Sequence, residues 1–98
     1  MIKHVVFMKF KKETHTEDIE FIEKGLGSLP GVITEIKHYE FGRDVVHSER
    51  SYDFALVSAF DNMESLQRYI DNPKHQVVAK KCRELSESMI VVDFESGA

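Results

Sequence analysis

Cysteine occurs once in these 98 residues, at Cys82, which excludes an internal disulfide framework and fits a reducing compartment, here expected to be the cytoplasm. Long apolar runs are missing as well. The opening MIKHVVFMKFKK is interrupted by Lys3, His4 and Lys9 and is too short an apolar stretch for a signal peptide; no segment approaches the length of a membrane span. Neither a phosphate-binding loop nor a dinucleotide fingerprint occurs, and no two histidines stand at the i, i+4 spacing of a helical metal site. With no second cysteine to join Cys82, neither a cofactor nor a metal is expected. There is no excess of positive charge: 13 Lys and Arg are dispersed among 17 Asp and Glu, giving a net charge of −4. A nucleic-acid surface needs basic residues gathered on one face, so that partner is not expected.

What is present is the composition of a soluble globular chain, with 42% hydrophobic and 31% charged residues. The length fits one domain spanning residues 1–98, small enough that pairing with a second copy would help bury its core. Ile2 to Phe10 reads as a strand with Ile2, His4, Val6, Met8 and Phe10 on one face and Lys3, Val5, Phe7 and Lys9 on the other. Thr14 with Glu17 forms a capping-box pattern, and Ile19, Ile22, Leu26 and Leu29 follow at helical spacing, predicting a helix from about Thr16 to Ser28 that Gly27 or Pro30-Gly31 stops. Val32 to Phe41 predicts a second strand, Gly42 to Arg50 a loop, and Ser51 to Phe60 a third strand. Asp61 with Glu64 repeats the capping pattern ahead of a short helix whose buried stripe is Met63, Leu66, Tyr69 and Ile70. Pro73 suits a first helical turn and not an interior, and Asn72 before it is a preferred N-cap. One helix therefore ends near Asp71 and another begins at Pro73, with His75, Val78, Ala79, Cys82 and Leu85 along one stripe. Met89 to Phe94 is the last strand, and the tail from Glu95 to Ala98 is expected to fray.

Strand, helix, strand, strand, broken helix, strand is the α+β ferredoxin-like βαββαβ order: a four-stranded antiparallel sheet with its helices on one face. The other face then presents Val5, Phe7, Val57 and Ala59. An apolar face of that kind predicts a homodimer with two sheets face to face.

The break at Asn72-Pro73 places His75 in a first helical turn, where unpaired N–H groups and a positive helix end favour neutral imidazole. Tyr69 lies one break away, and His4 shares a strand face with Val6 and Met8. Two imidazoles and a phenol would thus border an apolar space walled by Val6, Met8, Phe54, Leu56 and Val78, able to polarise a carbonyl and move a proton. The same spacing fits a structural reading in which His4 bonds a backbone carbonyl, Tyr69 packs with its hydroxyl wet and His75 is a surface residue. Cys82, on the apolar stripe, reads as a small core residue. Asp61, Glu64, Asp71 and Asp93 read as caps and surface charge.

The run SYDFALVSAFDNMESLQRYIDNPKHQVV, with HVVFMKFK at the start, PGV after the first helix and VVDFE at the end, resembles the stress-responsive dimeric α/β-barrel family along nearly the whole chain. The resemblance implies a ferredoxin-like protomer whose sheet pairs with a second one to close a barrel. That family holds plant stress proteins, bacterial members without an assigned role, and a plant polyketide cyclase that closes a ring by aldol condensation without a cofactor. Carried over by position, His75 would be the base, Tyr69 the donor to the thioester or enolate oxygen, and His4 an orienting residue of the same pocket. Two positions depart from the pattern. Members commonly read YDH where this chain has Tyr52, Asp53 and Phe54, which exchanges a pocket imidazole for an aromatic wall. Many read HPxH where it has Asn72, Pro73, Lys74 and His75, which keeps the cap and removes a second base. The expected function is binding, or transformation, of a small apolar carbonyl or aromatic compound; the alternatives are a non-catalytic stress-response binding or structural protein and a cofactor-free monooxygenase-like enzyme.

Overall fold

The computed structural model describes residues 1–97. The chain runs β1 (Ile2–Phe10), α1 (Thr16–Ser28), β2 (His38–Arg43), β3 (Phe54–Phe60), α2 (Met63–Asp71), α3 (Pro73–Leu85) and β4 (Ser86–Glu95). All strand pairings are antiparallel, in the order β2-β3-β1-β4, which is the ferredoxin-like arrangement. The alternating burial of β1 puts Ile2, His4, Val6, Met8 and Phe10 under the helices. Register then aligns His4 with Ser58 and Asp93, Val6 with Leu56 and Val91, and Met8 with Phe54 and Met89. Side chains alternate along each strand, so all of these share the helix-covered face. Ile22 and Leu26 of α1, Leu66 and Tyr69 of α2, and Val78 and Cys82 of α3 close over them.

Several boundaries differ from the sequence expectations, each for a local reason. Val32 to Lys37 is not strand: the Val32 and Ile33 N–H groups both donate to Leu29 O, at 3.0 and 2.8 Å. Ile33 thereby plugs the end of the core at 1% exposure, and β2 begins only at His38. β3 starts at Phe54: ahead of it the Asp53 side chain, and not a backbone carbonyl, accepts the Phe10 N–H at 2.8 Å. The N-cap of α1 is His15, whose N–H donates to Asp18 Oδ2 at 3.2 Å, while Thr14 Oγ1 donates to Leu85 O at 3.3 Å. The N-cap of α2 is Asn62, accepting the Ser65 N–H at 2.8 Å, and Asp61 instead faces Lys37 at 3.7 Å. Met63 leaves the expected buried stripe and stands 56% exposed. β4 continues in both directions, to Ser86 and Glu95. The tail is held that far, with the Ser96 N–H on Met1 O at 2.8 Å; the last residue of the expected fray, Ala98, lies outside the described residues.

The helix break falls where Asn72 and Pro73 require it. Asn72 sits at φ −63°, ψ 128°, and its Oδ1 accepts the Lys74 N–H at 2.9 Å. The helix-free face carries exposed Phe7, Ile90, Val92 and Phe94 and half-buried Val5 and Val57. Ala59, expected to be presented there, is fully buried, a methyl flanked in register by the longer Lys3 and His38.

Candidate functional site

A cavity of about 170 Å³ lies between the sheet and the two halves of the broken helix. Its sheet wall is His4, Val6, Met8, Leu56, Met89 and Val91; Leu26 closes it from α1, and Tyr69, Ile70, His75, Ala79, Cys82 and Arg83 close it from α2 and α3. Sequence spacing brings His4, Val6, Met8, Leu56, Tyr69 and His75 together here. Phe54 and Val78 lie outside the lining. Phe54 is one register step beyond Leu56 on its face and is packed against Phe10 and Phe41, at ring centroid distances of 6.0 Å each. Val78 faces the α1 crossing at Gly25.

The break in the helix turns the His75 ring back over the end of α2. Its centroid is 4.2 Å from that of Tyr69, and its Nδ1 is 3.1 Å from Ile70 O. A carbonyl only accepts, so Nδ1 carries the proton and Nε2 keeps its lone pair. Burial holds the His75 pKa below 6.5 against the opposing effect of the Ile70 O bond, with smaller contributions from His4 and the positive charge of Arg83. Near neutral pH the ring is therefore a neutral base.

Tyr69 is fully buried, against Phe60 at 4.9 Å and edge-on to His4 at 6.2 Å. Its hydroxyl lies 2.8 Å from that of Tyr39. Burial is the first cause of the upward shift of both phenols, Tyr39 to about 12 and Tyr69 further still. Both thus stay protonated through neutral pH and serve as uncharged donors. His4, 8% exposed, donates from Nδ1 to Asp93 Oδ1, and not to a backbone carbonyl. Asp93 is therefore no mere surface charge: on the edge strand, in register with His4, it fixes that ring. Burial pushes the Cys82 thiol up to about 11, so it lines the cavity as an inert apolar group.

Sequence spacing passed over Tyr39, Asp93 and Arg83. For Asp93 alternation from Met89 gives the inward face, and only the β1–β4 register sets it opposite His4. Tyr39 was hidden by the misplaced start of β2. Among the described residues no cluster of three or more His, Cys, Asp or Glu is placed to hold a metal, and no helix is long and apolar enough to cross a membrane.

A family model described as the Stress responsive A/B Barrel Domain matches residues 2–96. The chain belongs to this family. Over 95 residues it is 27% identical to olivetolic acid cyclase of Cannabis sativa, covering 95% of this chain and 94% of the cyclase. It is 28% identical over 96 residues to the stress-response A/B barrel domain-containing protein HS1 of Arabidopsis thaliana, covering 96% and 88%. A crystal structure of a dimeric ferredoxin-like protein of unknown function from Thermobifida fusca superposes with a TM-score of 0.89 at 26% identity, over 97% of this chain and 90% of that one. Membership in the stress-responsive A/B barrel family agrees with the sheet order and with the uncovered apolar face of β1, β3 and β4.

Proposed function

We propose that this A/B barrel protein is a cytoplasmic homodimer whose cavity, one per protomer, binds a small carbonyl-bearing or aromatic compound and carries proton-transfer chemistry on it without a cofactor. The observation that carries the reading is the state of His75: Nδ1 is committed to Ile70 O, Nε2 has no hydrogen-bond partner among the described residues, and the ring is held neutral beside a phenol in an apolar cavity. In this reading His75 Nε2 is the general base, the Tyr69 hydroxyl donates to the carbonyl oxygen as charge develops there, and Asp93-anchored His4 orients the ligand from the sheet side. Similarity to a cyclase supports the chemistry. The exposed Phe7, Ile90, Val92 and Phe94, together with the dimeric Thermobifida neighbour, support the assembly, and a single buried thiol suits a reducing compartment.

Acetophenone, a one-ring ketone, suits the cavity: an apolar protein cavity of ~150 Å³ takes up benzene. Titration followed by the ligand's NMR signals should show saturable binding to the wild type. Tyr69→Phe should weaken it by about threefold to tenfold, the worth of one hydrogen bond, while His75→Ala should retain binding. Equal binding to wild type and Tyr69→Phe would remove Tyr69 from the site.

A further inference from the structure

The second phenol, Tyr39, takes no part in the proposed proton transfer. It stands on β2 opposite Ser58 in register, outside the cavity lining, with its ring edge-on to Tyr69 at 6.1 Å and its hydroxyl 2.8 Å from the Tyr69 hydroxyl. We propose that Tyr39 is a positioning residue in a reversible hydroxyl pair: Tyr69 donates to Tyr39 in the empty cavity, and an arriving ligand oxygen reverses the bond. Tyr39 then donates to Tyr69 while Tyr69 donates to the ligand. The proposal rests on the reading in which Tyr69 contacts a ligand oxygen.

Hydrogen-bond satisfaction supplies the argument. Two hydroxyls have two protons, and the bond between them uses one. The Tyr69 side chain is sealed from water, whereas Tyr39 is only partly buried. In the empty state the lower-energy arrangement spends the Tyr69 proton on Tyr39 and leaves the unshared proton on the less buried Tyr39, because a fully buried O–H without an acceptor would go unsatisfied. A ligand carbonyl changes the balance by offering Tyr69 an acceptor. Tyr39 can then turn its own proton inward, so that Tyr69 accepts and donates at once. Accepting a bond polarises a hydroxyl and strengthens the bond it donates. Because burial raises both phenols above neutral pH, the exchange needs only rotation of two O–H groups and no ionisation.

The test uses the full chain with carbon-13 at the phenolic carbon of its three tyrosines, Tyr39, Tyr52 and Tyr69, titrated with acetophenone. Tyr52 serves as an internal control, since its hydroxyl is 3.2 Å from Ser88 Oγ and apart from the pair. The expected result is that the Tyr69 and Tyr39 signals move together while Tyr52 stays. In Tyr69→Phe the Tyr39 signal should no longer respond. In Tyr39→Phe, which removes one oxygen, the carbonyl-carbon signal of bound acetophenone should move back toward its free position. If the Tyr69 signal moves while Tyr39 stays fixed, the pair does not reverse and the proposal falls, with the Tyr69 reading intact. If neither moves, or acetophenone does not bind, Tyr69 is no donor to ligand and both fall.

Discussion

In the proposed reading His75 is the residue on which the chemistry turns, and contributions of different size keep its ring neutral. The positive end of α3 disfavours imidazolium by a fraction of a kcal/mol to about 1 kcal/mol, but burial is the largest cause of the depressed pKa. A histidine whose folded pKa lies below its unfolded value of 6.5 destabilises the fold only once the unfolded chain begins to take up the proton. Its penalty is absent above pH 6.5 and grows as pH falls through 6.5 toward the folded pKa. NMR titration should give His75 a midpoint below 6.5, and denaturant unfolding between pH 8 and 5 should show a smaller acid loss for His75→Ala than for wild type. An unshifted midpoint would mean that the ring is open to water. At this scale the sequence was partly legible. Asn72-Pro73 fixed where His75 stands, because proline leaves few options, and alternation placed His4 inward. The Asp93 and Tyr39 contacts depend on register and on where β2 begins, which no local pattern specified.

At the scale of elements, the crossing of α1 over α3 explains a glycine that helix propensity alone would disfavour. Gly25 lies within α1, and a Cβ there would meet Val78 Cγ2 at 2.9 Å. Replacing a helical glycine by alanine ordinarily stabilises by ~1 kcal/mol. Here the methyl would press on a β-branched side chain that is stiff and 7% exposed, so Gly25→Ala should instead destabilise by about 1–3 kcal/mol. The double variant Gly25→Ala with Val78→Ala should lose less than the sum of the two single changes, measured by chemical denaturation. Strict additivity would show that the two helices do not meet there. The same contact explains why Val78 points away from the cavity although its stripe suggested otherwise. Helix periodicity gives a face, and that face is wide enough to serve both a helix crossing and a pocket.

The whole molecule has one sheet face covered by its own helices and one that is not. Phe7 on β1 and Ile90, Val92 and Phe94 on β4 stand 40–60% exposed, a group of large apolar side chains that a second sheet would cover. Sedimentation should give the mass of two chains, and aspartate at Val92 and Phe94 together should give one. A monomeric wild type would contradict the assembly. The architecture was the most legible level, because strand order, crossover handedness and two-sided apolar strands all point to one fold. The boundaries of β2 and β3 were not: Ile33 is held in a turn by Leu29 O and buried at the end of the core, and the Asp53 carboxylate is committed to the distant Phe10 N–H. In the proposed chemistry a neutral His75 and the Tyr69 hydroxyl activate a carbonyl compound in the cavity, a step that incorporation of deuterium from D2O into the methyl group of acetophenone reads out by itself. Protein-dependent exchange should rise with pH through the depressed His75 pKa and then level, vanish in His75→Ala and fall in Tyr69→Phe; exchange no faster than in buffer, or unchanged in His75→Ala, would mean that His75 is not the base.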